Sequence, residues 1–143
     1  MRGSRTGKRA AREVALQALY AWQLSGSDPL EEARSNEAYE KSEFLERLLR
    51  GVRENAEELR TLIAPHLDRD FARLSPVERA ILYIGAYELA YDAKTPFKVV
   101  LNEAVELGKS FGASEGHRFV NGVLEKIAAA LRPEEVAKHR SAP

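Results

Sequence analysis

A chain of 143 residues without cysteine has the length of one domain or two small intimate halves, able to bury roughly 68–70% of its unfolded surface without staples. Disulfides, a thiolate nucleophile and cysteine-ligated zinc are excluded, which fits a reducing compartment. Lys plus Arg 22 balance Asp plus Glu 22, so the chain as a whole is no generic polyanion binder.

The charge is unevenly distributed. From Arg2 to Arg12 every charged residue is basic (Arg2, Arg5, Lys8, Arg9, Arg12), whereas Glu31 to Glu46 is acid-rich. A basic end on a neutral protein points to a directed anion site. No apolar h-region follows Met1-Arg2-Gly3-Ser4, and no stretch reaches the roughly 20 apolar residues of a membrane span. A cytoplasmic location is therefore expected.

Helical periodicity dominates, and strand-like alternation is not found. The first helix is predicted from about Lys8 to Leu24, with Ala11, Val14, Ala15, Ala18, Leu19 and Trp22 on one face. Asp28 caps and Pro29 opens a short second helix to about Arg34. A third starts near Ser42, carries Leu45, Leu48, Leu49, Val52, Ala56, Leu59 and Ile63, and bends near Asn55. Pro65 ends it, and Leu67–Leu74 reads as a connector with at most a short helical turn. Ser75-Pro76-Val77-Glu78 is a capping box, and the helix it opens, to about Tyr91, is apolar nearly all round and so expected at the centre. Thr95-Pro96 opens another, ending at Gly112, and Ser114 caps a last long helix with Val120, Val123, Leu124, Ile127 and Leu131. The expected architecture is all-α, two small packed helical bundles at residues 1–64 and 65–133, followed by a polar tail at 134–143.

Gly108-Lys109-Ser110 resembles the end of a phosphate-binding loop, but Glu103 stands where that motif needs glycine, and the setting is helical. His66, His117 and His139 lack metal-ligand spacing, so surface or capping roles are expected and no metal site. Asn102, Glu103 and Glu106 share a helix with no second catalytic element nearby, which favours ion pairs or an inter-helix hydrogen bond over acid–base chemistry. Gly122, mid-helix, costs about 1 kcal/mol relative to Ala, and close helix packing is the usual reason.

The basic end carries the strongest functional signal. Arg9 and Tyr20, eleven residues apart, nearly eclipse at about 3.6 residues per turn, with Arg12 on the flanking row. Guanidinium groups for phosphates beside a ring for stacking form the composition of a single-stranded nucleic-acid site. Arg118-Phe119 is a second such pair. Phe119 sits at the edge of its helix's apolar stripe, compatible with core or surface.

Five blocks then become recognisable: Lys8-Arg9-Ala10-Ala11-Arg12-Glu13; Ala18-Leu19-Tyr20-Ala21-Trp22-Gln23; Glu78-Arg79-Ala80-Ile81-Leu82 with Tyr87-Glu88-Leu89; Pro96-Phe97-Lys98-Val99-Val100-Leu101-Asn102-Glu103-Ala104-Val105-Glu106-Leu107; and Phe119-Val120-Asn121-Gly122-Val123-Leu124. Together they resemble the bacterial transcription antitermination family NusB over nearly the whole chain. The resemblance implies an all-helical fold of two bundles, pairing with the ribosomal protein NusE, and binding of single-stranded boxA RNA. It further implies assembly on transcribing RNA polymerase at ribosomal RNA operons, no enzyme activity and no cofactor. By matched position, Arg5, Lys8, Arg9, Arg12, Tyr20, Arg118 and Phe119 fall at the RNA surface, and Glu78 and Arg79, expected exposed, toward NusE. A homodimer of the free chain is left open. The competing readings are a small helical enzyme of the chorismate-mutase kind, in which inward-pointing arginines grip a dicarboxylate, and a purely structural homodimer.

Overall fold

A computed structural model describes residues 4–112 and 116–141, the side chains of 4–6 excepted. Among them are eight α-helices, two short 3-10 turns and no strand. Helix α1 (Ser4–Ser25) buries Ala11, Val14, Ala15, Ala18 and Leu19. It stops where Gly26 takes a φ of +77°, a conformation that favours glycine. Asp28 then accepts a hydrogen bond from the Glu31 N–H and Pro29 supplies a preset first residue, so α2 (Pro29–Arg34) follows at once.

Ser42 caps α3 (Glu43–Glu54), which buries Leu45, Leu48, Leu49 and Val52. At Asn55 the side-chain amide donates to the Gly51 carbonyl at 2.8 Å, ending α3, and α4 (Ala56–Ile63) departs in a new direction to bury Leu59 and Ile63. Pro65 lies in a 3-10 turn, Ala64–His66, and a second turn spans Phe71–Arg73 within the expected connector.

Helix α5 (Pro76–Tyr91) begins with both arms of the capping box, the Glu78 N–H on Ser75 Oγ at 3.1 Å and the Ser75 N–H on Glu78 Oε1 at 3.0 Å. Ala80 through Ala86 are buried without a break. This helix is the axis of the molecule, packed against α1, α3 and α4 on one side and α6 (Phe97–Ser110) and α7 (Gly116–Leu131) on the other. Two glycines permit the approach. A methyl at Gly51 of α3 would overlap the Tyr87 ring, and one at Gly85 would lie 2.7 Å from Leu124 of α7. The two bundles thus share a continuous apolar core through α5.

The polar tail expected after Pro133 is instead helix α8 (Pro133–Arg140). Proline at the first position can open a helix as readily as end one, and Glu134 and Glu135 at its start with Lys138, His139 and Arg140 at its end match the helix dipole. Val136 is buried, Glu135 accepts the Phe97 N–H at 2.8 Å, and the His139 ring meets Phe97 edge-on. Arg132, just before α8, donates to the carbonyls of Glu88, Leu89, Asp92 and Thr95, closing the end of α5. The expected Ser114 cap of α7 lies outside the described residues.

Candidate nucleic-acid interface

The N-terminal half of α1 carries the basic end, and the structure divides its members. Lys8 and Arg9 reach the surface, Lys8 with its ammonium 5.1 Å from the Phe44 ring centre. Arg9, 44% exposed, donates from Nε and Nη2 to the two oxygens of Glu103 on α6 at 3.1 and 2.9 Å. That hydrogen bond and the Glu103 charge hold the Arg9 guanidinium above its ordinary value. With one edge of the fork engaged, the Nη1 side remains for an incoming anion. Tyr20 lies along the same helix, 40% exposed. Arg5 has its side chain outside the described residues.

Arg12 corrects the expectation of a surface phosphate contact. It is 2% exposed and donates from Nε and Nη2 to Glu88 of α5 at 2.8 and 2.7 Å. Its Nη1 lies 3.8 Å from Glu103 and its guanidinium 5.1 Å from the Phe44 ring centre. The row flanking Arg9 is roofed by α3, α5 and α6, which all pack on α1. Glu88, 1% exposed, was missed. Its signal was available: a carboxylate inside an otherwise apolar helix requires a cation. Glu103, likewise buried, is the inter-helix partner that the spacing favoured over an acid–base pair.

On α7, Arg118 is exposed and Phe119 half-buried, so the ring serves core and surface together. The Arg69 guanidinium sits 5.0 Å from the Phe119 ring centre and is itself held by Asp68 at 2.7 Å. Arg69, and more weakly Lys126, hold the Asp68 carboxyl below its usual range. Gly122 was expected to mark close helix packing, but a methyl there meets nothing within 4 Å. It floors an open cleft of about 240 Å³ beside Phe119.

Glu78 and Arg79 were expected exposed and free to face a partner. Both are half-buried. Glu78 closes the capping box, and Arg79 donates to Gln23 Oε1 at 2.6 Å and to the carbonyls of Ala72 and Leu74 at 2.9 and 2.8 Å. They brace the start of α5 against α1 and the connector. Beside them a cleft of about 350 Å³ opens between Trp22, Arg60, Phe71 and Tyr83, and Leu24 stands 58% exposed on the neighbouring end of α1.

Among the described residues, the inward-pointing Arg12 is answered by Glu88 and Arg132 by four backbone carbonyls. Among the described residues, no helix is long and apolar enough to cross a membrane.

Comparison with known proteins identifies the family. The transcription antitermination protein NusB of Dechloromonas aromatica (strain RCB) is 45% identical, over 96% of this chain and 88% of that protein. Its namesake in Burkholderia mallei (strain SAVP1) is also 45% identical, over 96% and 99%. Among solved structures, T. maritima NusB superposes with a TM-score of 0.83 at 30% identity, covering 96% of this chain and 99% of that one. A chain from a crystal structure of antitermination factors NusB and NusE in complex with dsRNA gives 0.76 at 30% identity, covering 86% and 96%. A family model, described as the NusB family, matches residues 9–129, and the chain belongs to that family.

Proposed function

We propose that this chain is a transcription antitermination factor of the cytoplasm. It binds boxA-type single-stranded RNA together with the ribosomal protein NusE, as part of an antitermination complex on RNA polymerase that keeps transcription of ribosomal RNA operons processive. The observation that carries the reading is its likeness, over 86% of its length, to a chain from a structure of NusB and NusE in complex with dsRNA. The surface chemistry supports it. Lys8 and Arg9 on α1 and Arg118 on α7 offer cations, while Tyr20 and the open edge of Phe119 offer rings. Arg5 belongs with the cations by position. Arg12 does not, since it is engaged inside the fold.

NusE is assigned to the face around the start of α5, where the cleft lined by Trp22, Phe71, Arg79 and Tyr83 opens near exposed Leu24, with Glu78 in the same first turn as Arg79. The test is reconstitution. The purified chain and NusE are expected to form a one-to-one complex that binds a boxA RNA more tightly than either protein alone. Absence of a complex, together with RNA affinity no higher for boxA than for a scrambled strand, would overturn the reading.

A further inference from the structure

Helix α7 carries a feature that the core does not account for. Gly122 lies in mid-helix, where glycine weakens the fold, yet no neighbour occupies the space its side chain would fill. The contrast with Gly51 and Gly85 is direct, because each of those has a side chain of another helix pressed into the gap. Above Gly122 the cleft is open, lined by Phe119 and by His66 of the 3-10 turn and Asp68 of the connector. Arg118 and Lys126, both exposed, also line it.

The spacing is regular. Positions 118, 122 and 126 form one row of the helix, and at about 1.5 Å per residue the two cations are rooted about 12 Å apart with the glycine midway. A side chain at 122 would stand between them. Its absence makes the helix backbone the floor of a shallow trough with a cation at either end and an aromatic wall. Two cations, Arg118 and Lys126, line the trough, and its one carboxylate, Asp68, is already held by Arg69, which also stacks on Phe119.

From this geometry we infer that the Gly122 trough is a second RNA subsite on α7, in which the ribose–phosphate backbone of a single strand crosses the helix over Gly122 between Arg118 and Lys126. The inference rests on the RNA-binding function proposed above and adds Gly122 and Lys126 to its site. Single-stranded RNA is the occupant that fits. A chain of phosphates answers the cation pair, a close-lying backbone needs the missing Cβ, and the trough continues directly from Arg118 and Phe119. An apolar protein segment would find two solvated cations and a carboxylate around a small floor.

The test uses the full chain with NusE and a fluorescent single-stranded boxA RNA, read by anisotropy against salt, with melting temperatures for every variant. Gly122→Leu fills the trough and is expected to weaken RNA binding about tenfold or more, the worth of one charge-assisted phosphate contact. Gly122→Ala meets no protein atom, so it should hold or raise the melting temperature while weakening RNA binding. Lys126→Ala should reduce the salt slope by about 0.7. If Gly122→Leu melts early, Gly122→Ala and Lys126→Ala decide. Wild-type affinity in Gly122→Ala and an unchanged slope in Lys126→Ala, with wild-type protein binding RNA normally, would overturn the subsite alone. Loss of NusE capture by Gly122→Leu with RNA affinity intact would give the trough to a protein partner and equally overturn it. Failure of the wild-type chain to bind boxA RNA would instead remove the proposed function, and the subsite with it.

Discussion

Replacing Arg12 with Ala separates a surface phosphate contact from an internal tie between α1 and α5. The substitution deletes two charge-assisted hydrogen bonds of 2.8 and 2.7 Å and leaves the Glu88 carboxylate, 1% exposed, without its cation. Breaking one side of such a buried pair costs about 3–5 kcal/mol. With about 2.1 cal/mol/K of unfolding entropy per residue near the midpoint, 143 residues give about 0.3 kcal/mol/K, so the melting temperature should fall by about 10–17 °C. A double variant, Arg12→Met with Glu88→Leu, removes both charges and should recover most of the loss, because the pair's attraction largely offsets its own desolvation. Calorimetry of the two variants, with RNA titration of Arg12→Ala well below its midpoint, completes the assay. RNA affinity per folded molecule should be unchanged. An unaltered midpoint together with weakened RNA binding would refute the reasoning and return Arg12 to the surface.

Local chemistry made most of the fold legible. The Ser75–Glu78 box, Asp28 before Pro29, Ser42 before Glu43 and the break at Asn55 each place a helix end through bonds within a few residues, and each stands where the sequence puts it. What depended on distant partners was not legible. Arg12 and Glu88 are separated by 76 positions, and whether the row beside Arg9 faces water depends on how α3 and α6 close over α1. A basic residue among basic neighbours reads as surface until the buried acid opposite it is known. Glycine was misread for a related reason. Gly122 stood out because its neighbours are apolar, whereas the close contacts occur at Gly51 and Gly85, and only the packing against α5 distinguishes them. Pro133 was ambiguous in a third way, since the same ring that ends one helix fits the first turn of the next. Phe119, open between core and surface, proved to be at the boundary of both.

Arg79→Ala should lose its bridges to Gln23, Ala72 and Leu74, lowering stability by about 1.5–3 kcal/mol. Glu78→Ala loses only a cap arm, about 1 kcal/mol, and denaturant titration of both should show that ranking. Tyr20→Ala should leave the melting temperature near wild type while weakening RNA binding roughly five- to 150-fold, the value of one stacked base; an unchanged affinity by anisotropy would take Tyr20 out of the site. Asp28 and Glu46 are held below the usual carboxylate range by hydrogen bonds from Arg53 and Arg34 respectively. Depressed values mean that their stabilising contribution is complete above about pH 4 and is lost as pH falls through the lower folded values. Denaturant midpoints measured against pH should therefore fall modestly below about pH 4, and Arg53→Ala should lessen that fall by removing the Asp28 part of it. Salt dependence tests which cations meet RNA. With Arg12 inside the fold, Arg5, Lys8, Arg9 and Arg118 leave about four contacts, and a single strand then gives a slope near −2.8, or about fiftyfold weaker binding between about 50 and 200 mM salt. Adding Lys126 raises the expected loss to about 130-fold. Each alanine variant at Lys8, Arg9 or Arg118 should flatten the slope by about 0.7, whereas Arg12→Ala should leave it untouched. A slope that Arg12→Ala flattens and Lys8→Ala does not would place the RNA on a different face of α1, because buried and exposed cations would then have exchanged roles.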